Sequence, residues 1–147
     1  MIGFIITGHG TYAPGMHGAM EMIAGTQEKV RVIPFLQGMT LEEFQDEMVS
    51  SINFLKQEVE EIVIFTDLLG GTPFKTAAEQ ALFQQNIEVV SGTNLSMLIE
   101  GTMLRLGVTS ASTFVDQLLQ TGKEGINKLE IINAADESLI DDFSEGI

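Results

Sequence analysis

The sequence predicts an α/β chain: a doubly wound, mostly parallel sheet of strand order 2-1-3-4 with helices on both faces. Three observations predict it. Short apolar runs alternate with longer stretches whose apolar residues recur at helical spacing, the pattern of strand–helix units feeding a parallel sheet. The runs are continuous and rich in branched residues, as in Ile62-Val63-Ile64-Phe65, so they read as strands buried on both faces. Glycine, proline and N-capping residues mark the joints, as in Gly70-Gly71-Thr72-Pro73.

Residues 2–8 are the first strand, apolar and unbroken, and residues 9–13 are a loop. Pro14 opens a helix to about residue 24, with Gly25 as its stop; Met16, Ala19, Met20 and Ile23 face the sheet. Val30 to Phe35 is the second strand. Thr40-Leu41-Glu42-Glu43 is a capping box, and its helix carries Leu41, Phe44, Met48, Ile52 and Leu55 along one face. Residues 61–67 are the third strand. A helix follows to about Gln84, with Thr72 as N-cap and Pro73 at the first helical position, where a missing N–H costs nothing. Ile87 to Ser91 is the fourth strand. Asn94 caps a helix through Met97, Leu98 and Leu104 that stops at Gly107. Thr113 opens another, with Phe114, Leu118 and Leu119 as its apolar residues. Lys128 to Ile132 reads as a last, short strand. Asp136 to Ile147, with five acids and no base, reads as a frayed or weakly docked tail. The expected organisation is one domain over residues 1–133 and an acidic tail over 134–147.

Composition sets the class. With 147 residues and a hydrophobic share of 44%, the chain can bury a full core as one globular domain. It has no cysteine, so disulfides, thiolate chemistry and cysteine-built metal sites are excluded. No apolar run approaches the ~20 residues needed to cross a bilayer. Met1-Ile2-Gly3-Phe4 lacks the positive region of a signal peptide, so a cytoplasmic protein without membrane insertion is expected. The net charge of −14, from 21 acids against seven bases, repels phosphate backbones, so no nucleic-acid partner is expected. The acidic surface serves solubility or docks a basic patch on a partner.

In such a sheet the chain reverses direction between the first and third strands, and ligands sit in the crevice at their carboxyl ends. His9 lies just past the first strand and Asp67 at the end of the third, so the topology brings them together. A carboxylate that accepts from one imidazole nitrogen fixes the tautomer and leaves the other as a nucleophilic lone pair. Gly8 and Gly10 let a bulky group approach the ring. The helix start after each strand aims N–H groups at the crevice, which suits a phosphoryl group. The hydroxyl of Thr72 and the amides of Gly71 and Thr72 are candidate donors, with Gly10 completing the expected phosphate-binding set. A nucleophilic histidine in such a nest is the apparatus of phosphoryl transfer through phosphohistidine. Leu68, Leu69 and Phe74, held at the rim by the glycine turn, are the candidate partner-docking residues.

Competing chemistries lack their residues. No Gly-Lys-Ser/Thr follows Gly70-Gly71, no Gly-x-Gly-x-x-Gly follows the first strand, and there is no Gly-x-Ser-x-Gly elbow. His17 belongs to the surface of the first helix, and two histidines eight residues apart make no metal site. The eight methionines fall on helix faces with other apolar residues and fill the core. Neither a metal nor a cofactor is expected.

Three stretches together carry a family resemblance: Gly8-His9-Gly10, the run from Asp67 through Leu68-Leu69-Gly70-Gly71-Thr72-Pro73 to Phe74, and Gly92-Thr93-Asn94-Leu95-Ser96-Met97-Leu98. Over about residues 1–130 the chain resembles the IIA component of the mannose-type (mannose, fructose, sorbose, N-acetylgalactosamine) phosphoenolpyruvate-dependent sugar phosphotransferase system. The resemblance implies a phosphotransferase component in which His9 accepts the phosphoryl group, Asp67 orients its ring and Thr72 assists the phosphoryl group. It implies HPr as donor, a IIB component as acceptor, and a IIC/IID membrane permease served indirectly. It also implies a homodimer that exchanges the last strand, which suits the apolar segment Leu129 to Ile132. Many relatives have an aromatic residue where this chain has Leu68-Leu69, a difference that bears on sugar specificity. Relatives often fuse IIB behind IIA; here the acidic tail leads to the expectation of a separate IIB polypeptide. Two other readings stand beside this one: the phosphotransferase subunit of a dihydroxyacetone kinase, and a non-catalytic regulatory module of the same fold.

Overall fold

The computed structural model of the protein describes residues 1–131 and residue 146. Among the described residues four strands and five helices follow one another: β1 Gly3–His9, α1 Tyr12–Ala24, β2 Val30–Phe35, α2 Leu41–Leu55, β3 Ile62–Phe65, α3 Thr72–Phe83, β4 Ile87–Val90, α4 Leu95–Leu104 and α5 Ala111–Glu124. The strands form one parallel sheet in the order β2-β1-β3-β4. The chain thus winds one way from β1 to β2 and the other way from β3 to β4. The crevice between β1 and β3 opens where His9 and Asp67 emerge.

Alternation along the central strands builds two cores. Phe4, Ile6, Val63 and Phe65 face one side and pack with Met20, Leu98, Phe114 and Leu118 from α1, α4 and α5. Ile5, Ile62 and Ile64 face the other and pack with Phe44, Met48, Ile52 and Leu55 from α2 and Ala77 from α3. Each such large apolar side chain contributes about 1.5–3 kcal/mol by leaving water, so the middle of the sheet is a firm base for the loops at its end.

The opposite end of the sheet is closed by a buried arginine. Arg105 follows α4 and donates to the Gln27 side chain at 2.9 Å, to the Glu28 carbonyl at 2.7 Å and to the Ile2 carbonyl at 3.4 Å. Its guanidinium lies 4.6 Å from the centre of the Phe4 ring. One side chain thereby ties the entries to β1 and β2 to the end of α4.

The capping box of α2 is present, Thr40 accepting from Glu43 N–H and Glu43 accepting from Thr40 N–H. Asn94 caps α4 through Met97 N–H. Other boundaries differ from expectation. Pro14 is the third residue of α1, still within the first turn, where its missing N–H leaves no helical bond unmade. Gly71, not Thr72, is the N-cap of α3, so Thr72 is the first helical residue and Pro73 the second. The fifth helix begins at Ala111 under Ser110, whose hydroxyl accepts from Thr113 N–H, with Glu61 accepting from Ala111 N–H as a second cap. Leu41, expected on the buried face of α2, is exposed.

Residues 128–131 form no strand in this chain, and Leu129 and Ile131 are exposed. An exchanged strand would gain its pairing from a second subunit. Ile132 and most of the acidic tail lie outside the described residues. No helix among the described residues is long and apolar enough to cross a membrane.

Candidate functional site

β1 ends on His9, whose Cα pairs with that of Phe35 on β2. The next residue, Gly10, has φ +57°, a left-handed conformation that turns the chain sharply into α1. β3 ends two residues before Asp67. The adjacent strands place the two side chains together, and Asp67 Oδ2 accepts from His9 Nδ1 at 2.8 Å and from His9 main-chain N–H at 2.8 Å. Asp67 Oδ1 accepts from Leu68 N–H at 2.8 Å. Three donors thus hold one carboxylate.

These contacts favour its charged form. Burial would raise the Asp67 carboxyl, but hydrogen bonds from the main chain and ring of His9, the attraction of that ring and the Leu68 N–H outweigh it, and the group lies below its ordinary 3.8. Asp67 is therefore ionised at neutral pH and acts only as an acceptor. The proton on the near ring nitrogen is then placed on Nδ1, and Nε2 carries the lone pair. The His9 side chain is 46% exposed, against 15% for Asp67: the carboxylate is sheltered and the ring is reachable. Phe35 meets the ring edge-on, with centroids 5.9 Å apart.

Small residues leave the space that the ring needs. A Cβ on Gly71 would lie 2.8 Å from His9 Cε1, and one on Gly8 would lie 2.4 Å from Tyr12 Cδ1 and 3.0 Å from Asp67 Cγ. Gly10 has open space around it, but its N–H donates to the Phe35 carbonyl at 2.8 Å. The Gly71 N–H is likewise engaged, with the Leu68 carbonyl at 3.1 Å. Of the expected phosphate donors, Gly10 and Gly71 therefore contribute room instead of a free N–H. The Thr72 N–H and hydroxyl have no acceptor among the described residues, and both stand at the start of α3.

Leu68 and Leu69 stand out from the turn at 60% and 70% exposure, and Phe74, in the first turn of α3, is half-buried. They do not fold under the loop as a local core. His17 lies on α1, its Nε2 3.4 Å from Glu21 Oε1, and takes no part in the crevice.

One residue beside the crevice was not legible as part of it. Tyr12 begins α1, and its hydroxyl donates to the carbonyl of Thr93 in the loop after β4. Burial, then the Asp67 charge, push its hydroxyl up to about 12, against a smaller opposing effect from the Thr93 bond. An aromatic residue at a helix start reads as core filling, and a partner 81 positions away gives no local signal.

The sequence model of the family described as PTS system fructose IIA component matches residues 3–119. The chain belongs to the mannose-type IIA family of the sugar phosphotransferase system. It is similar to the fructose-specific EIIA component of Bacillus subtilis, 30% identical over 105 residues that cover 71% of each protein. It is also similar to the mannose-specific EIIAB component of Escherichia coli, 30% identical over 129 residues. That alignment takes in 88% of this chain but only 40% of the relative, so the IIA chain spans about two-fifths of that protein's length. Among solved structures, EIIA from Streptococcus agalactiae superposes with a TM-score of 0.80 at 35% identity, covering 87% of this IIA chain and 97% of that one. This IIA chain is accordingly a phosphotransferase component of a sugar transport system.

Proposed function

We propose that this IIA component is a phosphoryl carrier that accepts a phosphoryl group from phospho-HPr on His9 and passes it to a IIB component. The observation that carries the reading is the 2.8 Å contact of Asp67 with His9 Nδ1, which leaves Nε2 open at an exposed edge. In the forward step the Nε2 lone pair bonds to phosphorus and the phosphorus–nitrogen bond of the donor breaks. Its electron pair returns to the donor imidazole. The substituted His9 ring is cationic, and Asp67 offsets that charge through Nδ1–H. A IIB nucleophile then attacks phosphorus and the electron pair returns to Nε2.

The start of α3 supports this chemistry, since its partial positive charge and the unengaged Thr72 N–H and hydroxyl favour a dianionic group beside Nε2. Leu68, Leu69 and Phe74 are the contact patch for the carriers, in a chain whose −14 charge steers toward a basic partner. We further propose a cytoplasmic homodimer in which residues 129–132 pair with the partner subunit, and a IIC/IID permease reached through IIB.

Incubation with phosphoenolpyruvate, enzyme I and HPr, followed by intact mass, tests the reading. A gain of one phosphate is expected, lost in His9→Ala and kept in His17→Ala. The reverse pattern moves the acceptor to His17, and no gain in the native protein ends the proposal.

A further inference from the structure

We infer that Tyr12 is a positioning residue of the phosphoryl site: its ring and hydroxyl brace the Asp67 turn against His9 and so keep Nε2 the open nitrogen. The inference rests on the reading of His9 as phosphoryl acceptor.

The brace has two parts. The first is the hydroxyl. Tyr12 donates to the Thr93 carbonyl. The same loop holds the end of β3 by its main chain: Thr93 N–H donates to the Thr66 carbonyl at 3.2 Å, and Gly92 N–H to the Asp67 carbonyl at 3.1 Å. Thr66 returns the tie, its N–H and its hydroxyl both donating to the Val90 carbonyl at 2.7 Å. Tyr12 thus connects the start of α1 to the loop that fixes the main chain of Asp67. With its hydroxyl at about 12, Tyr12 remains a donor throughout the neutral range.

The second part is the ring. The position where a Gly8 side chain would begin lies 2.4 Å from Tyr12 Cδ1 and 3.0 Å from Asp67 Cγ. Tyr12 and Asp67 therefore close on the same glycine, one residue before His9. The ring walls the carboxylate on that side, which keeps water from competing for the oxygen that orients the imidazole. Asp67 Oδ2 must stay on Nδ1 for one tautomer to dominate, and the Tyr12 ring stands on one side of that carboxylate across the Gly8 main chain.

The test uses the full chain carrying ¹⁵N-labelled histidine, without phosphate and at alkaline pH, so that the His9 tautomer is read directly. A parallel measurement follows the rate of phosphorylation by phospho-HPr. Tyr12→Phe removes the hydroxyl tie and keeps the ring; Tyr12→Ala removes both. In Tyr12→Phe the minor His9 tautomer should rise several-fold and the rate should fall about fivefold, the size of one lost hydrogen bond. Tyr12→Ala should go further. Ile52→Val, which loosens the α2 core far from the crevice, is the stability control and should move neither readout. A wild-type imidazole spectrum and rate in Tyr12→Phe would overturn the inference, as would the same changes in Ile52→Val. Should Tyr12→Ala not fold, Tyr12→Phe alone decides. Absence of phosphate on His9 in the native protein would defeat the carrier reading, while the spectrum still decides whether Tyr12 positions Asp67.

Discussion

Gly71 and His9 are packed so closely that a Cβ on Gly71 would lie 2.8 Å from His9 Cε1. Gly71 itself has ordinary extended dihedrals, φ −69° and ψ 166°, so it is glycine for the sake of its neighbour and not for its own backbone. Gly71→Ala should therefore fold normally yet displace the imidazole. Phosphorylation by phospho-HPr should slow by about a hundredfold, the cost of a displacement near 1 Å at a reacting group. Transfer kinetics with a melting curve check this; a native rate would mean that the ring moves aside without consequence.

Asp67→Asn should keep the fold and impair the site. One carboxylate oxygen accepts two hydrogens from His9 and the other accepts one from Leu68. An amide has one oxygen, so in either orientation its NH₂ confronts an N–H donor. Turned toward His9, it pulls the ring to the tautomer with Nε2 protonated. Transfer should slow about 10- to 100-fold, measured by mass gain against time.

The same substitution has a pH signature. The Asp67 carboxyl lies below its ordinary 3.8 in the folded chain, so its contribution is fully present above that value. It is lost as pH falls through the folded value. The stability gap between native protein and Asp67→Asn should shrink below about pH 4. Denaturant titrations at several pH values measure it; a gap that fails to shrink in the acid range would contradict the assignment.

Leu68→Ser with Leu69→Ser separates docking from folding. Both side chains are mostly exposed, so stability should change by no more than about 0.5 kcal/mol. The apparent affinity for HPr or IIB should fall about tenfold, read by titration of transfer rates. A large loss of stability with unchanged transfer would return the leucines to the core.

Arg105→Leu is the opposite case. It strands the Ile2 and Glu28 carbonyls and the Gln27 side chain at the entries to β1 and β2. Unfolding stability should fall by about 2–4 kcal/mol, while folded molecules transfer at the native rate because the crevice is at the other end of the strands. Denaturation curves beside transfer rates check both halves.

The sheet order and the meeting of His9 with Asp67 were legible because both follow from local signals. Branched runs such as Ile62–Phe65 mark strands, caps such as Thr40 and Asn94 mark helix starts, and the reversal between β1 and β3 does the rest. What was not legible depends on distance or on near-degenerate chemistry. Ser110 and Thr113 are both hydroxyl residues, and Glu61 on another element helps set the start of α5 at Ala111. Gly71 and Thr72 are both competent caps, so the assignment shifted by one residue. The N–H groups of Gly10 and Gly71 looked free until Phe35 and Leu68 claimed them. Tyr12 and Arg105 have long side chains whose partners lie 77 to 103 positions away.

The double grip of Asp67 Oδ2 on His9 has a kinetic corollary. One of its two donors is a main-chain N–H, indifferent to what the ring carries. On the proposed carrier reading, that bond should hold the carboxylate in the same seat while the imidazole gains and loses a phosphoryl group. The crevice should then act as a fixed jaw with little internal resetting between turnovers. The pace of a full cycle should be set by the arrival and departure of the carriers at its exposed edge, so that viscosity and partner concentration, more than any hinge in the fold, govern its throughput.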